Sequence, residues 1–193
     1  MPLDCLHLTV LEMAHSRTEA EIAAMVQEME GKVSEIVDFT YNHCARLVKP
    51  MLSYDAAAIA LSFLPAAGES LPGNQITSDA YTYHHLRRDI SALCKSTGVE
   101  VASRYVVPSA HLTIARFVTQ TNHAKGGDLG PDLKNVARLI EKLEDLNVNL
   151  KSQYWAKEAG EWTVGEEKGL VCRRGTVWYG GGETLHQGRG FDS

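Results

Sequence analysis

The sequence predicts an α+β protein made of two pseudo-symmetric α/β lobes, each an antiparallel sheet with helices on its outer face, and a cleft between them. Three observations carry that expectation. Short segments that alternate apolar and polar residues are interleaved with longer ones of helical period. The order strand, helix, strand, strand occurs twice, over approximate repeats 3–65 and 110–180, joined by a helix and a strand over 79–107. Each repeat also opens on the same pattern, Leu6-His7-Leu8-Thr9-Val10 and Ala110-His111-Leu112-Thr113-Ile114.

Residues 3 to 11 alternate as a strand does. Thr18, with Glu21 three residues on, has the form of a capping box opening a long amphipathic helix. Its apolar positions, Ile22, Met25, Val26, Met29, Val33, Ile36, Val37 and Phe39, are spaced by three or four, and Gly31 admits a break. The helix ends near Asn42 to Cys44. Strands over 46–54 and 58–64 follow, separated at Asp55, and the Gly/Pro/Asn-rich stretch 66–78 is a surface loop. A second helix is expected over 79–97, burying Tyr83, Leu86, Ile90 and Leu93, with Gly98 at its carboxyl end. A short strand over 103–107 meets Pro108, which sets up the strand 110–118. After a polar, glycine-rich loop, Pro131 opens a third helix that runs to about Leu150. Strands at 162–166 and 170–179 complete the second repeat. The tail 181–193 is expected to be mobile, and the whole chain to be a single bilobal domain.

Composition narrows the function. With 193 residues, 44% hydrophobic and 22% charged, the chain can bury a substantial core and is neither disordered nor fibrous. Its formal charge of −5 is wrong for gripping long nucleic acid, which demands a basic face, and suits a small nucleotide or an RNA terminus. Cys5, Cys44, Cys94 and Cys172 are scattered without a C-x-x-C pair, so no zinc site or disulfide framework is indicated. The start, Met1-Pro2-Leu3-Asp4, lacks the features of a signal peptide. The most apolar run, 56–67, contains Ser62 and Pro65 and is too short to span a bilayer. A cytoplasmic or nuclear protein with no membrane contact is the expectation.

The repeated pattern holds the chemistry. On a strand His7 and Thr9 project to one side and Leu6, Leu8 and Val10 to the other, and the same holds for His111 and Thr113. One such pair is weak evidence, because strands favour threonine and an isolated histidine is usually structural. Two identical pairs at equivalent places in a repeat make a phosphate-sized composite site. Imidazole serves as acid or base near neutral pH, and threonine hydroxyls donate to phosphate oxygens.

With its two H-h-T-h motifs the chain resembles the two-histidine (2H) phosphoesterases, which split or join phosphodiesters without a metal or other cofactor. Tyr81-Thr82-Tyr83-His84-His85-Leu86-Arg87-Arg88-Asp89, followed by Ser103-Arg104-Tyr105-Val106-Val107-Pro108-Ser109-Ala110-His111, is similar to fungal members described as RNA ligase or cyclic nucleotide phosphodiesterase. The resemblance covers about residues 3 to 180. It implies His7 and His111 as catalytic acid and base, Thr9 and Thr113 as phosphate ligands, and hydrolysis of nucleoside 2′,3′-cyclic phosphates or of RNA 2′,3′-cyclic phosphate ends. The noncatalytic nucleotide-binding module and the 2′-5′ RNA end-joining enzyme remain as alternatives on the same residues. Arg104, Tyr105, Arg173, Trp178 and Tyr179 are further candidates to line the substrate. His84, His85, Arg87 and Arg88 read as structural or as a solvated helix face.

Overall fold

In the computed structural model the described residues are 1–68, 79–102, 110–119, 124, 130–177 and 181–191. They form a mixed α+β fold with a curled antiparallel four-stranded sheet and four α-helices. The strand expected over 103–107 lies outside the described residues.

The long amphipathic pattern divides into α1 (Glu19–Met29) and α2 (Val33–Asn42). Thr18 caps α1 as expected: its hydroxyl accepts from the Glu21 N–H, and the Glu21 carboxylate accepts from the Thr18 N–H at 2.8 Å. The break falls at residues 30–32, around the glycine. Next come β1 (Ala45–Tyr54) and β2 (Ala58–Pro65), paired as an antiparallel hairpin. Asp55 makes the turn, its carboxylate accepting from the N–H groups of Ala57 and Ala58 at 2.7 and 2.8 Å. The second helix, α3 (Tyr83–Lys95), is followed by β3 (His111–Arg116), α4 (Leu133–Tyr154), β4 (Trp162–Val164), β5 (Val171–Arg174) and β6 (Glu183–Gln187). α4 begins with Asp132 as its cap, one residue after Pro131, the Asp132 carboxylate accepting from the N–H of Lys134 and of Asn135.

The sheet order is β3-β2-β1-β4, antiparallel throughout. Strands of both sequence repeats join this one sheet, so the sheet itself does not divide into two lobes. α3 supplies the centre of the core. Tyr83, Leu86, Ile90 and Cys94 are at most 1% exposed and recur at spacings of three and four, packing with Leu47 of β1 and with Ile36 of α2. Burying side chains of this size contributes about 1.5–3 kcal/mol each. α4 lies along the β1 edge, where the Asn147 carboxamide takes the place of a neighbouring strand, accepting from Leu52 N–H at 2.6 Å and donating to Leu52 C=O at 3.1 Å.

Two expectations require correction. The tail expected to be mobile contains β6, which pairs with β5 in a separate hairpin docked on α2. The backbone approach is close: Leu170 N–H donates to Val37 C=O at 2.6 Å, and a Cβ on Gly169 or Gly188 would sit 2.5 or 2.4 Å from that same oxygen. Only glycine allows this contact, so the residues that suggested a loose tail are what let it dock. The amino-terminal strand is also shorter than expected. Leu3–Cys5 forms a 3₁₀ turn, and Leu8 alone makes an isolated antiparallel bridge, to Leu112.

Candidate active site

β3 is paired along one edge with β2, where Ser62, Leu61 and Ala60 lie opposite His111, Leu112 and Thr113. Along its other edge runs the first motif, joined through the Leu8–Leu112 bridge. One step either side of that bridge, His7 falls opposite Thr113 and Thr9 opposite His111. Residues directly opposite in an antiparallel pair share a face. All four side chains therefore share one face of the sheet, while Leu8, Val10 and Ala110 join the core on the other. His7, Thr9 and His111 are exposed and Thr113 is half-buried.

A β-bulge adds a fifth group. The register steps from Ala60–Thr113 to Ile59–Ala115, leaving Ile114 without a partner, so beyond it the alternation is displaced by one residue. Arg116, opposite Ala58, then projects on the same face as Thr113 and His111. Strict alternation along the sequence puts Arg116 on the opposite face, which is why the sequence reading missed it. The bulge is tied at its carbonyl: Ile114 C=O accepts from the amino-terminal ammonium at 2.7 Å.

The electrostatics distinguish the two imidazoles. His111 keeps an exposed surface, yet the partial burial of its ring lowers its pKa below the ordinary histidine value, and repulsion from His7 and from Arg116 pushes the same way. Each cause favours neutral His111. His7 Nδ1 lies 2.9 Å from the Cys5 carbonyl oxygen. A carbonyl only accepts, so Nδ1 is protonated, and Nε2 is the ring atom left for proton transfer. Arg116 also lies near the β1–β2 turn. The Asp55 carboxyl is held below the usual carboxylate range first by the Ala57 and Ala58 N–H groups and, after these, by Arg116.

The other sequence candidates are not gathered here. Arg173 stands on the separate β5–β6 hairpin, exposed, with its guanidinium donating to Gly182 C=O at 3.4 Å. Arg104, Tyr105, Trp178 and Tyr179 lie outside the described residues. The solvated-face reading of the second helix is half right: Arg88 is exposed, but Arg87 is 3% exposed and its Nε donates to Val10 C=O at 2.8 Å. Its spacing of four from Tyr83 and three before Ile90 puts it on the buried stripe. His85 is neither ligand nor idle surface, because its Nδ1 accepts from the Thr82 N–H at 3.1 Å at the start of α3.

Among the described residues no cluster of three or more His, Cys, Asp or Glu side chains could hold a metal ion. No helix among them is long and apolar enough to cross a membrane. No protein family, curated protein or solved structure matched this chain.

Proposed function

We propose that this face is the active site of a phosphodiesterase that opens small cyclic phosphodiesters, such as nucleoside 2′,3′-cyclic phosphates or RNA 2′,3′-cyclic phosphate ends, by paired-histidine acid/base catalysis without a metal. The observation that carries the reading is the Leu8–Leu112 bridge, which aligns two histidines and two threonines from segments a hundred residues apart on a single open face. Binding alone would have no need of two imidazoles. The bilobal arrangement characteristic of the 2H phosphoesterases belongs to the same reading.

In the mechanism that follows, neutral His111 takes a proton from water as its oxygen attacks phosphorus. The bond from phosphorus to one ribose oxygen breaks, and protonated His7 delivers its Nε2 proton to that leaving oxygen. Water is added across one P–O bond, leaving a phosphomonoester and a free hydroxyl; exchange with solvent restores both rings. Thr9, Thr113 and Arg116 hold the non-bridging oxygens, where negative charge accumulates in the transition state. The lowered pKa of His111 supports its role as base. The Cys5 carbonyl, accepting from His7 Nδ1, orients the ring so that Nε2 is the atom that delivers the proton.

The test is turnover of the four 2′,3′-cyclic nucleotides in excess chelator by the native chain, His7→Ala and His111→Ala. Expected are chelator-resistant turnover, a bell-shaped pH profile and loss of activity in both variants. Activity that disappears in chelator and returns with a divalent ion would overturn the mechanism, as would a loss confined to one variant. No turnover on any base, with nucleotide binding retained, would favour the noncatalytic binding module instead.

A further inference from the structure

We propose that Arg87 is a positioning residue for the first motif: from its buried place on α3 it holds the Val10 carbonyl and so keeps His7 and Thr9 in register beside β3. This rests on reading His7 and His111 as one acid/base pair. Among the described residues the first motif forms no named strand of its own. β3 is hydrogen-bonded to β2 along its length, whereas among the described residues the segment carrying His7 meets β3 through the isolated bridge at Leu8 and the Met1 ammonium bond to Ile114 C=O, and it bends at Val10. At that bend the carbonyl is buried with its residue, 7% exposed, and accepts from Arg87 Nε at 2.8 Å.

The geometry of the tether is specific. Arg87 is 3% exposed and sits between Leu86 and Ile90, at 0% and 1%, on the helix that centres the core. A charge-assisted bond from so fixed a donor is stronger than one between neutral groups, and leaving its acceptor without a partner in the interior is costly. A guanidinium holds a defined direction through its planar fork, which a lysine ammonium does not. Thr9 lies one residue from the tethered carbonyl and His7 three, so a shift at Val10 displaces both groups from their partners on β3. Misplacement of about 1 Å can cost about 10²-fold in rate.

The experiment compares Arg87→Met and Arg87→Lys with the native chain, alone and combined with His7→Ala, reading kcat and KM on a 2′,3′-cyclic nucleotide and following the His111 ring by NMR through a pH titration. Expected for Arg87→Met is a kcat lowered about 10–100-fold with KM little changed, and a clearly smaller loss in the His7→Ala background, where only the displacement of Thr9 is left to act. The His111 titration should move up toward the ordinary histidine value, as it should in His7→Ala, because the neighbouring imidazole has receded. Arg87→Lys, which retains the charge but not the fork, should fall between; if Arg87→Met fails to fold, the lysine variant provides the same readings. Additive losses with His7→Ala, or a His111 titration unmoved in a folded Arg87 variant, overturn the proposal. The titration does not depend on turnover, so a native chain inactive on cyclic nucleotides while Arg87→Met shifts His111 would sink the catalytic reading and leave the tether standing.

Discussion

The two motifs are identical over three residues and are supported in opposite ways. His111 and Thr113 belong to a strand flanked on both edges, with β2 on one side and the amino-terminal segment on the other. Among the described residues, His7 and Thr9 sit on a segment held by one bridge, the Met1 ammonium bond to Ile114 and a 3₁₀ turn before it, and the Arg87 bond after it. The sheet makes one half of the site rigid, and a helix five elements further along the chain steadies the other. A composite site needs only one half built into the ladder if the second is packed on the core and tied to it by a buried hydrogen bond.

Removing an imidazole from either half breaks the comparison most directly. His7→Ala and His111→Ala should each lower kcat/KM by about 10²–10⁴-fold, the usual contribution of a placed acid or base. The pH profiles should differ in kind. In His7→Ala the limb belonging to His111 moves toward higher pH, because one of the repulsions lowering its pKa is gone. An unchanged limb would mean that the two rings are independent, and the shared face would lose its chemical meaning.

The third group on β3 gives a smaller effect. Arg116→Gln should cost about 10–10²-fold in kcat/KM, as for loss of one charged donor to a phosphate oxygen. Arg116→Lys should recover only part of it. If Arg116→Gln is silent, the bulge at Ile114 is architectural and the phosphate is held by the threonine pair.

The same residues show what the sequence discloses and what it conceals. The twin motifs, the Thr18–Glu21 capping box, the Asp55 turn and the helix opening after Pro131 are legible because each depends on neighbours within four residues. The Ile114 bulge is not, since a register shift is decided by which strand lies alongside, and β2 is fifty residues away. Alternation alone would put Arg116 on the other face, so nothing in the sequence singles it out. Arg87 is a different kind of miss: the stripe through Tyr83, Leu86 and Ile90 already contained its position, but an arginine beside an arginine and an aspartate suggests solvent. The tail was misread because its glycines indicate freedom locally and permit close packing at long range, against Val37.

Stability against pH separates the motifs without any substrate. Folded His111 has a lowered pKa, whereas in the unfolded chain it returns to about 6.5. As pH falls through that value the unfolded chain binds the proton first, so His111 makes the fold less stable on the acid side, down to its folded pKa; above about 6.5 it makes no difference. His111→Asn should flatten this part of the profile, read as urea midpoints from neutral to mildly acidic pH. A slope identical to that of the native chain would mean that the ring is as accessible to protons folded as unfolded.

The smallest expected effect lies at the far end of the Arg87 tether. α3 opens with His85 at the position a glutamate or glutamine usually fills in a capping box, and its Nδ1 accepts from the Thr82 N–H. His85 also stacks against Tyr81, with ring centroids 5.7 Å apart. His85→Ala removes both contacts and should cost about 0.5–1 kcal/mol in urea unfolding; His85→Gln, which restores a neutral acceptor, should recover most of it. Because Arg87 lies two residues further along the same first turns, fraying there should loosen the first motif and spare the second. Amide exchange at residues 8–10 should accelerate in His85→Ala while exchange along β3 stays as it was. Equal acceleration in both segments would mean that the halves are held as one unit, and the asymmetry between the two motifs would disappear.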